Sequence, residues 1–144
     1  MATERRADVT WRGSLMEGSG TIESTSSGVL GALPISWASR AEDPNGKTSP
    51  EDLIAAAHAS CFAMALSHGL AQAGTPADEL KTSATVTFVP GTGITRIALT
   101  VAGRVPGLDA DAFREAAEGA KQNCPVSKAL AGVPEITLEA GLSA

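Results

Sequence analysis

From Leu53 to Ala71 the chain runs nineteen residues without Asp, Glu, Lys or Arg, and no other segment restricts its fold as strongly. The segment is preceded by clear helix-start signals. Ser49 is placed to cap, Pro50 suits the first helical position, and Glu51 and Asp52 put negative charge at the positive end of the helix dipole. The helix is expected to reach Ala73 and to stop at Gly74, ahead of Pro76. Between Leu53 and Leu66 it is apolar almost all round, so it needs cover on every side. Its length would cross a bilayer. Alanine supplies much of it, however, and His58, Ser60, Ser67, His68 and Gly69 interrupt it, so a buried core helix and no membrane span are expected. One chain with short sheets struggles to cover such a helix. A homodimer, in which two copies pack these helices through their alanines, is the expected answer.

The first third reads as strands and turns. Val9 to Gly13 alternates, Gly18 and Gly20 bracket a turn, and Gly20 to Thr25 resumes an extended pattern. Val29 to Trp37 is a further extended stretch, and residues 40–49 form a polar loop with Asn45-Gly46 as its sharpest point. After the helix, Leu80 to Val89 and Ile94 to Val105 are expected as strands around the turn Pro90-Gly91-Thr92-Gly93. Asp109 is placed to cap a second helix with Phe113, Ala116, Ala117 and Ala120 on its inner stripe. Cys124-Pro125 begins a short helix to Leu130, and Glu135 to Leu142 closes the chain as a strand with Ile136, Leu138, Ala140 and Leu142 facing inward. With no repeat or linker, residues 1–144 are expected to form one α+β domain.

A net charge of −5 and a pI near 4.9 argue against nucleic acid and against an acidic membrane surface as partners. The charged start, Met1 to Asp8, does not read as a secretory signal, so a cytoplasmic, reducing setting is the expectation. In that setting two cysteines 63 positions apart, Cys61 and Cys124, read as reactive thiols more readily than as a structural bridge. Cys61 lies about three turns into the apolar helix, beyond the reach of the helix dipole.

A thiol attacks as its thiolate, and an ordinary cysteine, with pKa about 8.5, is only a few per cent ionised at neutral pH. Burial makes ionisation harder, so Cys61 needs a cation. A guanidinium suits, because it stays charged when buried, and a buried guanidinium in turn needs a carboxylate. Arg40 and Glu51, close across the polar loop, meet both needs. Glu51 and Cys61 are ten residues apart, so one straight helix separates them by about 15 Å and about 80° of azimuth. If Glu51 serves a cysteine, that cysteine belongs to another copy. Cys124, before Pro125 at a helix start, is set to feel helical N–H groups; filling a gap before a turn is its other reading. His58, three residues before Cys61, admits a thiol hydrolase or a zinc ligand set with Cys61 and Cys124, but a structural hydrogen bond is the simpler role. No phosphate-binding loop or dinucleotide fingerprint appears, and no cofactor is expected.

The run Ser49-Pro50-Glu51-Asp52-Leu53-Ile54-Ala55-Ala56-Ala57-His58-Ala59-Ser60-Cys61-Phe62 resembles the central helix of the OsmC/Ohr family of osmotically inducible and organic hydroperoxide resistance proteins. Cys124-Pro125-Val126-Ser127 resembles that family's second motif. The likeness implies the OsmC-like fold, antiparallel sheets around a long buried central helix in an intertwined homodimer with active sites at its interface. It further implies a peroxidase in which Cys61 reduces an organic hydroperoxide, Cys124 resolves the product as a disulfide, and Glu51 takes the place of the family glutamate. Organic hydroperoxide resistance proteins usually carry the arginine earlier, yet Ser14 to Ser19 holds none; Arg40 matches the OsmC-like branch. A dithiol, by resemblance a dihydrolipoyl group, would return the disulfide to thiols. Hydrogen peroxide as substrate, a non-enzymatic stress protein that binds an apolar ligand, and a thiol hydrolase stay open as alternatives.

Overall fold

Alternation of apolar and polar residues produces two small sheets, and the apolar helix joins the segments that form them. The computed structural model describes residues 1–143, grouped into two compact units, Met1–Leu53 and Ile54 onward. In the first unit β1 (Ala7–Arg12), β2 (Ser19–Thr25) and β3 (Gly31–Ile35) form an antiparallel sheet with β2 central. Pro34 sits in β3, at the edge of the sheet, where a missing N–H is tolerated. The extended stretch expected to reach Trp37 ends two residues sooner, because α1 (Trp37–Ala41) begins there. Ser36 and Ser39 cap it reciprocally, each hydroxyl accepting the other's backbone N–H at 3.0 Å.

The long helix α2 (Pro50–Gln72) forms as its sequence signals. Ser49 Oγ accepts the Asp52 N–H at 3.2 Å. At the far end, Gly74 takes the left-handed conformation (φ 87°), and the N–H groups of Gly74 and Thr75 reach the carbonyls of Ala71 and Leu70, both at 3.0 Å. That is a Schellman stop, which glycine permits without strain.

In the second unit β4 (Glu79–Val89) and β5 (Gly93–Arg104) form a hairpin whose turn has Pro90 before Gly91 at φ 82°, the type II pattern. α3 (Ala110–Asn123) follows, capped by Asp109 Oδ1 from the Ala112 N–H at 2.8 Å; then come α4 (Pro125–Ala129) and β6 (Glu135–Leu142). β6 pairs with β5 in parallel, so this sheet is mixed rather than wholly antiparallel. The reason is connectivity: a helical crossover through α3 and α4 returns the chain in its original direction, where a tight turn would reverse it.

Ile97, Leu99 and Val101 alternate onto one face of β5 and are buried there with Phe62, Leu66 and Leu70 of α2 and Phe113, Ala117 and Ala120 of α3. Leu142, expected to face inward, is 36% exposed at the end of β6. α2 is long and apolar enough to cross a membrane by length and composition, but its Phe62, Leu66 and Leu70 are spent on this core. On its opposite face Met64 is 72% exposed among the described residues. Gly103 lies where β5 meets α3: a Cβ there would stand 2.5 Å from Phe113 Cζ. Gly103→Ala is therefore expected to lower stability by about 1–3 kcal/mol through overpacking, read as a lower denaturant midpoint with an unchanged slope.

Candidate active site

Each unit places one chemically competent group. In the first, a loop is pinned so that a cation meets a carboxylate. The Thr48 N–H bonds the Pro34 carbonyl at 3.0 Å, and Ser39 Oγ donates to the Thr48 carbonyl at 2.9 Å. These contacts fold residues 42–48 back and bring the last turn of α1 to the first turn of α2. Arg40 Nε and Nη2 then donate to Glu51 Oε1 and Oε2, both at 2.9 Å. This is the bidentate fork that a guanidinium makes and an ammonium cannot. Glu51 is 7% exposed, whereas the Arg40 side chain keeps 32% of its surface in solvent. The pairing expected from the sequence is present, and it holds the guanidinium plane in one orientation. Beside it lies a cavity of about 340 Å³ lined by Trp11, Leu15, Ile35, Trp37, Arg40 and Pro50, apolar apart from the guanidinium and Ser36.

The second unit brings the two cysteines together. Both are free thiols; Cys61 is half-buried on α2 and Cys124 fully buried at the start of α4. The two thiols lie close enough for each to shift the other's ionisation. Burial pushes the Cys61 thiol up, and the hydrogen bond and charge of Cys124 push it further, against the Val126 N–H. Cys124 moves the other way. Burial opposes its ionisation, but the Cys61 thiol, the Ser127 N–H and hydroxyl and the Val126 N–H outweigh it and hold Cys124 below the ordinary thiol range. Of the two thiols, Cys124 is therefore the easier to ionise.

His58 has no exposed surface, and its Nε2 lies 2.7 Å from Ser127 Oγ. The structural hydrogen bond expected of it is therefore present, and its partner is the residue the sequence reading gave no role. Ser127 was discoverable: it lies three residues past Cys124 in a helix that starts at Pro125, the spacing that puts two side chains together. Among the described residues no group of three or more His, Cys, Asp or Glu is arranged to hold a metal ion, which leaves the zinc reading without a donor set.

Two outcomes follow from this geometry. Removing the guanidinium strands a buried carboxylate, so Arg40→Ala is expected to cost about 1–3 kcal/mol, a buried-pair figure reduced for the exposure of Arg40. Glu51→Gln in the same background should restore part of it in thermal melts. Burial also holds His58 below its ordinary value of 6.5. The unfolded chain binds that proton more readily than the folded one. The stability contributed is therefore present above about pH 6.5 and is lost as pH falls through the lower, folded value. Melting temperature should fall on acidification through that window, and His58→Gln should flatten the fall.

The family model described as OsmC-like protein matches residues 43–139. Peroxiredoxin OsmC of Escherichia coli (strain K12) is 42% identical over 142 residues, covering 96% of each chain. Among solved structures, the organic hydroperoxide resistance protein OhrB of Bacillus subtilis superposes with a TM-score of 0.64 at 29% identity, covering 96% of this chain and 98% of its own. The OsmC like protein from Mycoplasma pneumoniae, at 15% identity, has a TM-score of 0.66 with coverage of 96% and 98%, a likeness of fold alone.

Proposed function

Because the chain belongs to the OsmC-like protein family, we propose that it is a thiol-dependent peroxidase that reduces organic hydroperoxides through Cys61 and Cys124. The observation that carries this reading is the placing side by side of two free thiols from distant parts of the chain, close enough for each to shift the other's ionisation. Thiols in contact are poised to form a disulfide without large backbone movement. The relative with 42% identity is named a peroxiredoxin, and OhrB an organic hydroperoxide resistance protein.

The reaction proceeds in two steps. Cys61, as thiolate, attacks the distal peroxide oxygen; the O–O bond breaks and the leaving alkoxide takes a proton to depart as the alcohol. Cys61 is now a sulfenic acid. Cys124 attacks its sulfur, the S–S bond forms, the S–O bond breaks and water leaves. A dithiol, of the dihydrolipoyl kind, restores both thiols. Ionising Cys61 completely raises its thiolate fraction only about 30-fold at neutral pH, about 2 kcal/mol. The remaining acceleration comes from positioning and from charge stabilisation at the breaking bond, and the Arg40 guanidinium is the group to supply it.

A homodimer completes the site in this proposal. Glu51 and Cys61 of one helix stand about 15 Å apart along its axis, so the partner subunit's Arg40 serves this Cys61. The need for a second copy is supported by α2, which exposes Met64, and by Val9, Trp11 and Leu15 in the first unit, all exposed in the single chain. The apolar cavity beside Arg40 supports an organic peroxide over hydrogen peroxide as the better substrate, and a cytoplasmic setting keeps the thiols reduced.

Reduced protein treated with one equivalent of cumene hydroperoxide should lose two hydrogens in intact mass and yield a Cys61–Cys124 peptide; two intact thiols after that treatment would sink the assignment for this substrate. Arg40→Lys keeps the charge but loses the fork, and should lower kcat/KM about 100-fold in a coupled dithiol assay.

A further inference from the structure

His58 is fully buried, and its Nδ1 has no hydrogen-bond partner among the described residues, while Nε2 sits 2.7 Å from Ser127 Oγ. This asymmetry selects the tautomer. A buried N–H without an acceptor is rarer and costlier than a buried lone pair without a donor. The neutral ring therefore carries its proton on Nε2 and leaves the Nδ1 lone pair unfilled. With Nε2–H donating, Ser127 Oγ is occupied as an acceptor from that side, and its own hydrogen is free to turn elsewhere. Ser127 follows Cys124 by three residues at the start of α4, both are buried, and the side chain and N–H of Ser127 ease the ionisation of Cys124.

We propose that His58 is a positioning residue for the resolution step: its Nε2–H donates to Ser127 Oγ, which turns the Ser127 hydroxyl hydrogen onto Cys124 and presents that sulfur as a thiolate to oxidised Cys61. The link to resolution rests on the peroxidase reading above; the donor chain itself does not. In the step it serves, the Cys124 thiolate forms the S–S bond with the Cys61 sulfenic sulfur. The S–O bond breaks, and the hydroxide released takes a proton from solvent to leave as water. Cys61 sulfur is reduced and Cys124 sulfur oxidised, with the organic hydroperoxide as the original oxidant. His58 gains and loses no proton; it orients one.

The test separates the donor chain from the reaction. In a Cys61→Ser background Cys124 is the sole thiol, and its ionisation is followed by thiolate ultraviolet absorbance across pH. His58→Leu should raise the midpoint by about one pH unit, a tenfold loss of thiolate. His58→Gln, whose carboxamide can still donate to Ser127, should return it most of the way. Ser127→Ala, a smaller change that serves if His58→Leu fails to fold, should raise it by a similar amount. Restoring Cys61, rapid-quench mass spectrometry after one equivalent of cumene hydroperoxide should show sulfenic acid forming at the wild-type rate in His58→Leu. The disulfide should then form about tenfold more slowly. An unmoved midpoint in both His58→Leu and Ser127→Ala would overturn the proposal. So would a shift that His58→Gln fails to reverse, since loss of packing alone would then explain it. A shifted midpoint in a protein that forms no disulfide would instead leave the donor chain standing and bring down the peroxidase reading.

Discussion

A helix that is apolar on every face has to be covered on every face, and the arrangement of this protein depends on how α2 meets that demand. Phe62, Leu66 and Leu70 give one face to the core built on β5 and α3. Packing of this density fixes side chains in single rotamers, so residues just beside the buried stripe inherit its rigidity. Cys61 is adjacent to Phe62, and His58 lies one turn earlier on the buried side. Cys61 and the histidine that reaches Ser127 are thus held by burial of neighbours and not by loop geometry. The face that exposes Met64 is the other half of the same demand, and it is the face the proposed homodimer would cover.

The two chemical groups solve opposite electrostatic problems. Arg40 and Glu51 satisfy each other in a bidentate fork, so a charged group is kept at a nearly buried position without a stranded counter-ion. Between the thiols, Cys61 is pushed up and Cys124 held down. Within a single chain the easier ionisation therefore belongs to Cys124. A guanidinium brought to Cys61 from another copy would reverse that preference, so assembly and activation become the same event in the proposed mechanism.

Much of this was legible in the order of residues. The cap at Ser49, the stop at Gly74, the cap at Asp109 and the bounds of β6 each follow from chemistry confined to a few neighbouring positions. The Arg40–Glu51 pair was legible for a different reason: a shielded guanidinium needs a carboxylate, and Glu51 opens the apolar helix just across the polar loop. What escaped was either non-local or disguised. α1 hides because Ser39 occupies the place where a capping box usually shows Glu or Gln. The direction of β6 depends on a crossover of two helices, which no alternation pattern within Glu135–Leu142 encodes. The tie from His58 to Ser127 spans 69 positions, and only the docking of α4 against α2 reveals it.

The parallel pairing of β5 with β6 also governs when the thiols meet. It joins Arg96 to Glu135, and the intervening chain contains α3, Cys124 and α4. Pairings between residues so far apart in sequence form late, because the loop must close before the contacts that reward it exist. On a ribosome, Cys61 emerges and enters its helix well before the last strand is made. Until that strand docks and the crossover settles, the two sulfurs have no fixed relation to one another. The chain therefore acquires its redox chemistry as one of the final acts of folding, and an unfinished molecule carries two ordinary cysteines.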